Sequence, residues 1–158
     1  MRYGVGVDVL PLDRQVCFAL YTATRAVTAR YRPLLDELGL TYPQYLVLLA
    51  LWERDERTVK DLGAALRLDS STLSPLLKRL EAAGLVARER RSDDERSVVV
   101  RLAPGGAALR ERAAPIPARL VCDGGLDLAE LAELRDTLVR LTAALQRQGE
   151  IDAGALHG

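Results

Sequence analysis

Between Thr58 and Leu102 the spacing of apolar residues changes from helical to strand-like. Val59, Leu62, Ala65 and Leu66 share one face of a short helix, which Thr58 can cap with Asp61 near its positive end. Leu68 and Asp69 make a turn, and Asp69 suits the N-cap of a second helix carrying Leu73, Leu76, Leu77 and Leu80. Gly84 ends that helix. Residues 85–90 and 97–102 then read as strands around the polar loop 91–96. Two short helices, the second one capped, followed by a charged hairpin are the layout of a helix-turn-helix with a wing, which sets one helix into a DNA groove. Pro75 falls inside that second helix and is expected to distort it or delay its effective start.

The flanking segments read as helices. Residues 1–11 carry glycines and Pro11 without helical period, as an extended arm would. From Leu12, with Asp13 as cap, a helical stripe runs through Val16, Cys17, Leu20, Tyr21, Ala23, Ala26 and Val27 towards Tyr31. Pro33 is expected to kink or interrupt it, with a short helical piece continuing to a stop at Gly39. This helix is apolar on more than one side, which points to burial against a second chain. Pro43, just behind Thr41 and Tyr42, opens the next helix. There Tyr45, Leu46, Leu48, Leu49, Leu51 and Trp52 form a nearly continuous core run, and charged residues 53–57 link it to the reading unit.

After the wing, residues 103–106 open a helix to about Ala114 that Pro115 and Pro117 break or bend. The short apolar piece Leu120, Val121 and Cys122 ends in a turn at Asp123, Gly124 and Gly125. Asp127 and Glu130 can form a capping box on the last helix, along which Leu131, Leu134, Leu138, Leu141 and Leu145 make a coiled-coil seam. We assign that seam to dimerisation, since this kind of DNA-reading unit works as a symmetric pair. The expected fold is mainly α with a small β wing: a winged helix-turn-helix with N- and C-terminal dimerisation helices. The expected divisions are an arm at 1–11, N-terminal helices at 12–57, the DNA-binding unit at 58–102, dimerisation helices at 103–147 and a mobile tail at 148–158.

Composition changes this picture little. A chain of 158 residues with 49% hydrophobic and 28% charged residues is long enough for a small domain plus dimerisation helices. No long apolar run or secretory pattern is present, so a cytoplasmic protein without membrane contact is expected. The net charge of +0 is uninformative by itself, because placement decides DNA binding. Lys78, Arg79, Arg88, Arg90, Arg91, Arg96 and Arg101 gather in the reader helix and wing, interrupted by Asp93, Asp94 and Glu95.

Candidate chemistry is confined to two cysteines, Cys17 and Cys122. A structural disulfide is uncommon in the cytosol, which leaves inert thiols or a redox pair, and spacing alone favours inert buried thiols. The sequence holds no CxxC pair, no HExxH and no Gly-rich phosphate loop, and its one histidine lies in the tail. No metal, cofactor or enzymatic activity is expected.

Two stretches carry a resemblance: LDRQVCFALYTATRAVTARYRPLLDELGLTYPQYLVLLALWE and LDSSTLSPLLKRLEAAGLVARERRSDDERSVVVRL. Together they resemble the MarR family, and QVCFALY with GLTYPQYLVLLALWE resembles its organic-hydroperoxide-sensing, OhrR-type repressors of the two-cysteine branch. The likeness spans about residues 12–145. It implies that Cys17 is the peroxidatic thiol, that Tyr31 and Tyr42 hydrogen-bond its sulfur across a dimer interface, and that Tyr21 helps to line the pocket. It implies that Cys122 is the resolving cysteine, forming an intersubunit disulfide with Cys17. It further implies a homodimer on pseudo-palindromic double-stranded operator DNA. Ser70, Ser71, Thr72 and Ser74 would lie at base edges or phosphates and Lys78 and Arg88 at the backbone, with Arg96, oriented by Asp94, in the minor groove. An organic hydroperoxide would be the oxidant and DNA release the outcome. Two alternatives stay open: a MarR-type repressor answering a small aromatic ligand with unreactive cysteines, and a thiol peroxidase that turns over, against which the DNA-reading unit argues.

Overall fold

A computed structural model describes residues 11–90, 97–123, 125 and 127–155, with side chains described except at 121–123 and 148–155. A 3-10 turn, Leu12–Arg14, leads into α1 (Val16–Asp36) and α2 (Tyr42–Glu53). Next come β1 (Arg57–Thr58), α3 (Val59–Leu66), α4 (Ser70–Ala82), β2 (Val86–Arg90) and β3 (Val98–Leu102). The order closes with α5 (Pro104–Ala113), α6 (Ile116–Asp123) and α7 (Leu128–Ala155). The expected class, mainly helical with a small β wing of winged-helix type, is the one observed. The chain forms two compact units, Met1–Ile116 and Pro117–Gly158.

The entry to α1 departs from expectation. Pro11 starts the 3-10 turn by accepting the Arg14 N–H, so Asp13 lies within that turn and Gln15, in extended conformation, precedes the helix without a side-chain cap. Nor does Pro33 divide the helix, which runs unbroken to Asp36. The missing N–H of Pro33 deprives only the Ala29 carbonyl of its helical donor, and the helix ends one turn later. The stop is at Gly39, where a φ of +67° lets the Leu40 N–H close back onto the Leu35 carbonyl. Leu35 and Leu40 are both buried, so the turn is held from inside.

Thr41 then begins α2 with a capping box: its hydroxyl accepts the Gln44 N–H and the Gln44 side chain accepts the Thr41 N–H, with Pro43 in the first turn. α2 is the core helix that its apolar run predicts, with Tyr45, Val47, Leu48 and Leu51 all buried. Trp52 is a packing residue whose indole N–H donates to the Gly106 carbonyl at 2.9 Å. The adjoining glycines are steric requirements. A Cβ on Gly106 would lie 2.0 Å from the Leu85 carbonyl oxygen, and one on Gly105 would lie 2.8 Å from that of Gly84. Only glycine lets α5 approach the start of the wing this closely.

Leu62, Leu73, Leu77 and Leu80 are buried where α3 and α4 meet, as their helical spacing requires. α4 runs whole from Ser70 despite Pro75, because Asp69 already caps its first turn and the proline deprives only the Ser71 carbonyl of a donor. The wing is antiparallel, with Val86 opposite Leu102 and Arg90 opposite Val98. The charged link holds a feature that periodicity did not predict. Arg57 and Thr58 form a third strand on the far side of β3, in the order β1-β3-β2. Asp55 fastens that corner by accepting the Leu102 N–H at 2.8 Å.

In the second unit, Asp127 and Glu130 exchange backbone-to-carboxylate hydrogen bonds at 2.8 Å, the capping box expected there. α7 continues to Ala155, into residues 148–158, where a mobile tail was expected. α6 contains Pro117, and the break falls before it, at residues 114–115.

Candidate functional site

Two groups of residues bear on function, both in the first unit. The first is the reader helix with its wing. The Asp69 carboxylate accepts the Thr72 N–H at 2.8 Å and the Ser71 hydroxyl at 2.6 Å. Those bonds, the Ser71 hydroxyl foremost, hold its carboxyl below the ordinary carboxylate range, so the cap stays charged at the positive end of α4. Ser70, Ser71, Thr72, Ser74 and Lys78 are all exposed. The Ser71 hydroxyl donates to Asp69 and is left with its acceptor side, and the Thr72 side chain also hydrogen-bonds the Asp69 carboxyl. A cleft of about 660 Å³ lies between α3, α4 and the wing, bordered by Lys60, Ser74, Arg88 and Ser97.

Arg88 is engaged within the protein. Its Nε and Nη2 donate to Glu81 Oε2 at 2.9 and 2.6 Å, and its backbone N–H donates to Glu81 Oε1 at 3.1 Å. These bonds hold the Glu81 carboxyl below its usual range. Across the wing, Arg101 pairs with Glu89. Asp94 and Arg96 lie outside the described residues.

The second group is the thiol helix and its aromatic neighbours. Cys17, a free thiol, is exposed near the start of α1, whereas spacing alone favoured an inert buried one. Tyr31 and Tyr42 come together, with ring centroids 4.8 Å apart, and Tyr45 completes a cluster at 5.9 and 6.4 Å from them. Tyr45 reads in the sequence as a core position, so its part in this cluster was not legible; only its distance of three residues from Tyr42 hints at a shared helix face. Burial, reinforced by Tyr42 and Tyr45, pushes the Tyr31 phenol up to about 12. Tyr31 thus remains a protonated donor throughout the physiological range. Tyr21 is separate and exposed, with the Arg25 guanidinium over its ring and donating to its hydroxyl at 3.3 Å.

Cys17 and Tyr31 are about four turns apart on one helix, roughly 21 Å at the helical rise per residue. Within one chain the tyrosine pair cannot reach the thiol. Cys122 lies in α6, in the other unit, and its side chain is outside the described ones. Among the described residues there is no group of three or more metal-ligating side chains, and no helix is long and apolar enough to cross a membrane.

Residues 29–110, just over half the chain, match the family model for the transcriptional regulator SarA/Rot. The organic hydroperoxide resistance transcriptional regulator of Bacillus subtilis (strain 168) is 45% identical over 141 residues, covering 89% of this chain and 96% of that protein. Among solved structures, reduced AbfR bound to DNA, from a regulator of Staphylococcus epidermidis, aligns with a TM-score of 0.74 at 35% identity, over 86% of this chain and 93% of that one. Disulfide-formed AbfR aligns with a TM-score of 0.62 at 35% identity, over 88% of this chain and 92% of that one. The winged unit, its capped reader helix and these matches agree: the chain belongs to the MarR family of winged-helix regulators, on its SarA/Rot side, and is a DNA-binding transcriptional regulator.

Proposed function

We propose that the protein is a homodimeric repressor in the cytoplasm that senses organic hydroperoxides through Cys17 and then releases its operator. The observation that carries this reading is the placement of an exposed Cys17 thiol and Tyr31 on one stripe of α1, about four turns apart, with Tyr42 of α2 packed against Tyr31. A two-fold interface pairs residue i with j and j with i. Two antiparallel α1 helices crossing near Thr24 therefore bring Cys17 of one protomer to Tyr31 and Tyr42 of the other. The exposed side chains of Val16, Phe18, Tyr21 and Val27 supply the apolar surface for that crossing and an apolar setting for the oxidant. The names of the Bacillus relative and of the disulfide-formed and DNA-bound neighbours support the same reading.

The chemistry is a two-electron transfer. The Cys17 thiolate, steadied by phenolic donors from the partner, attacks one peroxide oxygen; the S–O bond forms, the O–O bond breaks and an alcohol leaves. The Cys122 thiolate of the other subunit then attacks the sulfenic sulfur; the S–S bond forms, the S–O bond breaks, and the departing hydroxide takes a proton from solvent to become water. A disulfide requires Cα atoms within about 7 Å; in this reading, drawing the two cysteines to that distance moves helices and with them the spacing of the two reader helices, roughly 34 Å in a dimer set in successive major grooves. Ser70, Ser71, Thr72, Ser74 and Lys78 meet the DNA from α4, and Arg96, oriented by Asp94, meets it from the wing.

The test is affinity for a duplex carrying the protein's own promoter, at fixed salt, before and after cumene hydroperoxide. Wild type is expected to lose binding and recover it with dithiothreitol, Cys17→Ser to stay bound throughout, and Cys122→Ser to form no intersubunit crosslink. Binding untouched by the peroxide defeats the proposal. That result would favour the second reading, an aromatic ligand, for which a cleft of about 230 Å³ beside Tyr45, Trp52 and Arg110 offers room.

A further inference from the structure

Arg88 and Glu81 link two elements that a DNA-reading unit has to keep in register. Glu81 belongs to the last turn of α4 and Arg88 to β2, an edge strand of the wing, and the chain reverses between them at Gly84. Arg88 directs both its guanidinium fork and its outward backbone N–H at one carboxylate, engaging both Glu81 oxygens. The geometry is that of a clamp, with a planar fork on one oxygen and the strand's own amide on the other. An edge-strand N–H that would otherwise face solvent is thereby tied to the reader helix.

We propose that Arg88 is a positioning residue rather than a phosphate contact: held by Glu81, it sets the angle of the wing against the reader helix, and DNA affinity depends on that angle. Arg88 borders the cleft between α4 and the wing, and from the sequence it counts as one more cation for the DNA backbone. Its side chain is 31% exposed and that of Glu81 37%, so the pair sits at the rim of the unit, where either role is sterically open. What separates them is that Glu81 already holds the Nε–Nη2 edge of the fork, which fixes the plane of the guanidinium and leaves only its Nη1 side open to a phosphate. The inference depends on DNA binding by the winged unit and not on the chemistry of Cys17.

The two roles predict opposite signs. Removing Glu81 deletes a negative charge near DNA, which by Coulomb's law alone strengthens binding, whereas loss of a clamp weakens it. The experiment uses full-length reduced protein and a duplex that wild type has selected from a randomised pool, titrated across several salt concentrations. Expected for the clamp is a loss of about tenfold in both Glu81→Ala and Arg88→Ala, a double variant no weaker than either single one, and a salt slope equal to that of wild type. Arg88→Lys, which keeps the charge but not the fork, is expected to behave like Arg88→Ala. Amide exchange at residue 88, measured without DNA, is expected to accelerate in Glu81→Ala. The proposal is overturned if Glu81→Ala binds as tightly as wild type or more tightly. It is equally overturned if Arg88→Lys keeps wild-type affinity, or if Arg88→Ala lowers the salt slope by about 0.9, the signature of one lost phosphate contact. Wild type failing to select any duplex would count instead against DNA binding by the winged unit, and amide exchange would still report on the clamp.

Discussion

At the scale of single residues, charge and burial control two titrations. The Asp69 carboxyl is held below its ordinary value of 3.8 by the Ser71 hydroxyl and the Thr72 amide. A depressed folded value means that the cap contributes fully above the unfolded value and is lost as pH falls through the folded one. Asp69→Ala is therefore expected to melt at a lower temperature than wild type at neutral pH, and the gap should close once the pH is well below 3.8. A gap that persists in strong acid would mean that the cap acts through something other than its charge. Tyr31 shifts the other way, raised to about 12 by burial and its two tyrosine neighbours. The folded state keeps that proton longer than the unfolded chain, so this contribution is complete below about 10 and is lost as pH rises towards 12. Ultraviolet titration of the phenols should show a late step that is missing from Tyr31→Phe.

At the scale of elements, the caps and stripes were legible because each depends on residues three or four apart. Thr58, Asp69 and Asp127 cap where local sequence places them, whereas Asp13 does not cap α1. What was illegible needs distant partners. The two-residue β1 exists because Arg57 and Thr58 find β3 more than forty residues later, and no period can be read from two residues. The same applies to the glycine pair after the wing. Gly106→Ala would press a Cβ onto the Leu85 carbonyl at 2.0 Å. It is expected to destabilise the fold by about 1–3 kcal/mol, or more where the strand cannot shift, although alanine is the better helix former. Denaturant unfolding checks this, and a neutral or stabilising result would show that α5 can retreat from the wing. Leu77→Ala, at a fully buried contact of α3 with α4, is expected to cost about 2–5 kcal/mol in the same measurement.

At the scale of the whole molecule, apolar surface is left over. In the first unit Val16, Phe18, Tyr21 and Val27 of α1 are exposed, and in the second so are Leu128, Leu134, Val139 and Leu145 of α7. The proposed homodimer is the cover for both stripes. Leu134→Glu combined with Leu145→Glu is expected to yield monomers in light scattering and to lower DNA affinity by well over tenfold, because a single reader helix forfeits its tethered second site. A variant that remains dimeric would remove α7 from the interface. By itself the sequence determined what short-range physics controls: helix periods, caps, the glycine stops, the winged order of elements and the two thiols. Tertiary structure alone decided which charges are spent inside the protein, as with Arg88 on Glu81, and which aromatic rings meet, as with Tyr31, Tyr42 and Tyr45. Charge pairing and ring contact depend on distances through space between segments, and a linear pattern of residue types does not encode those distances.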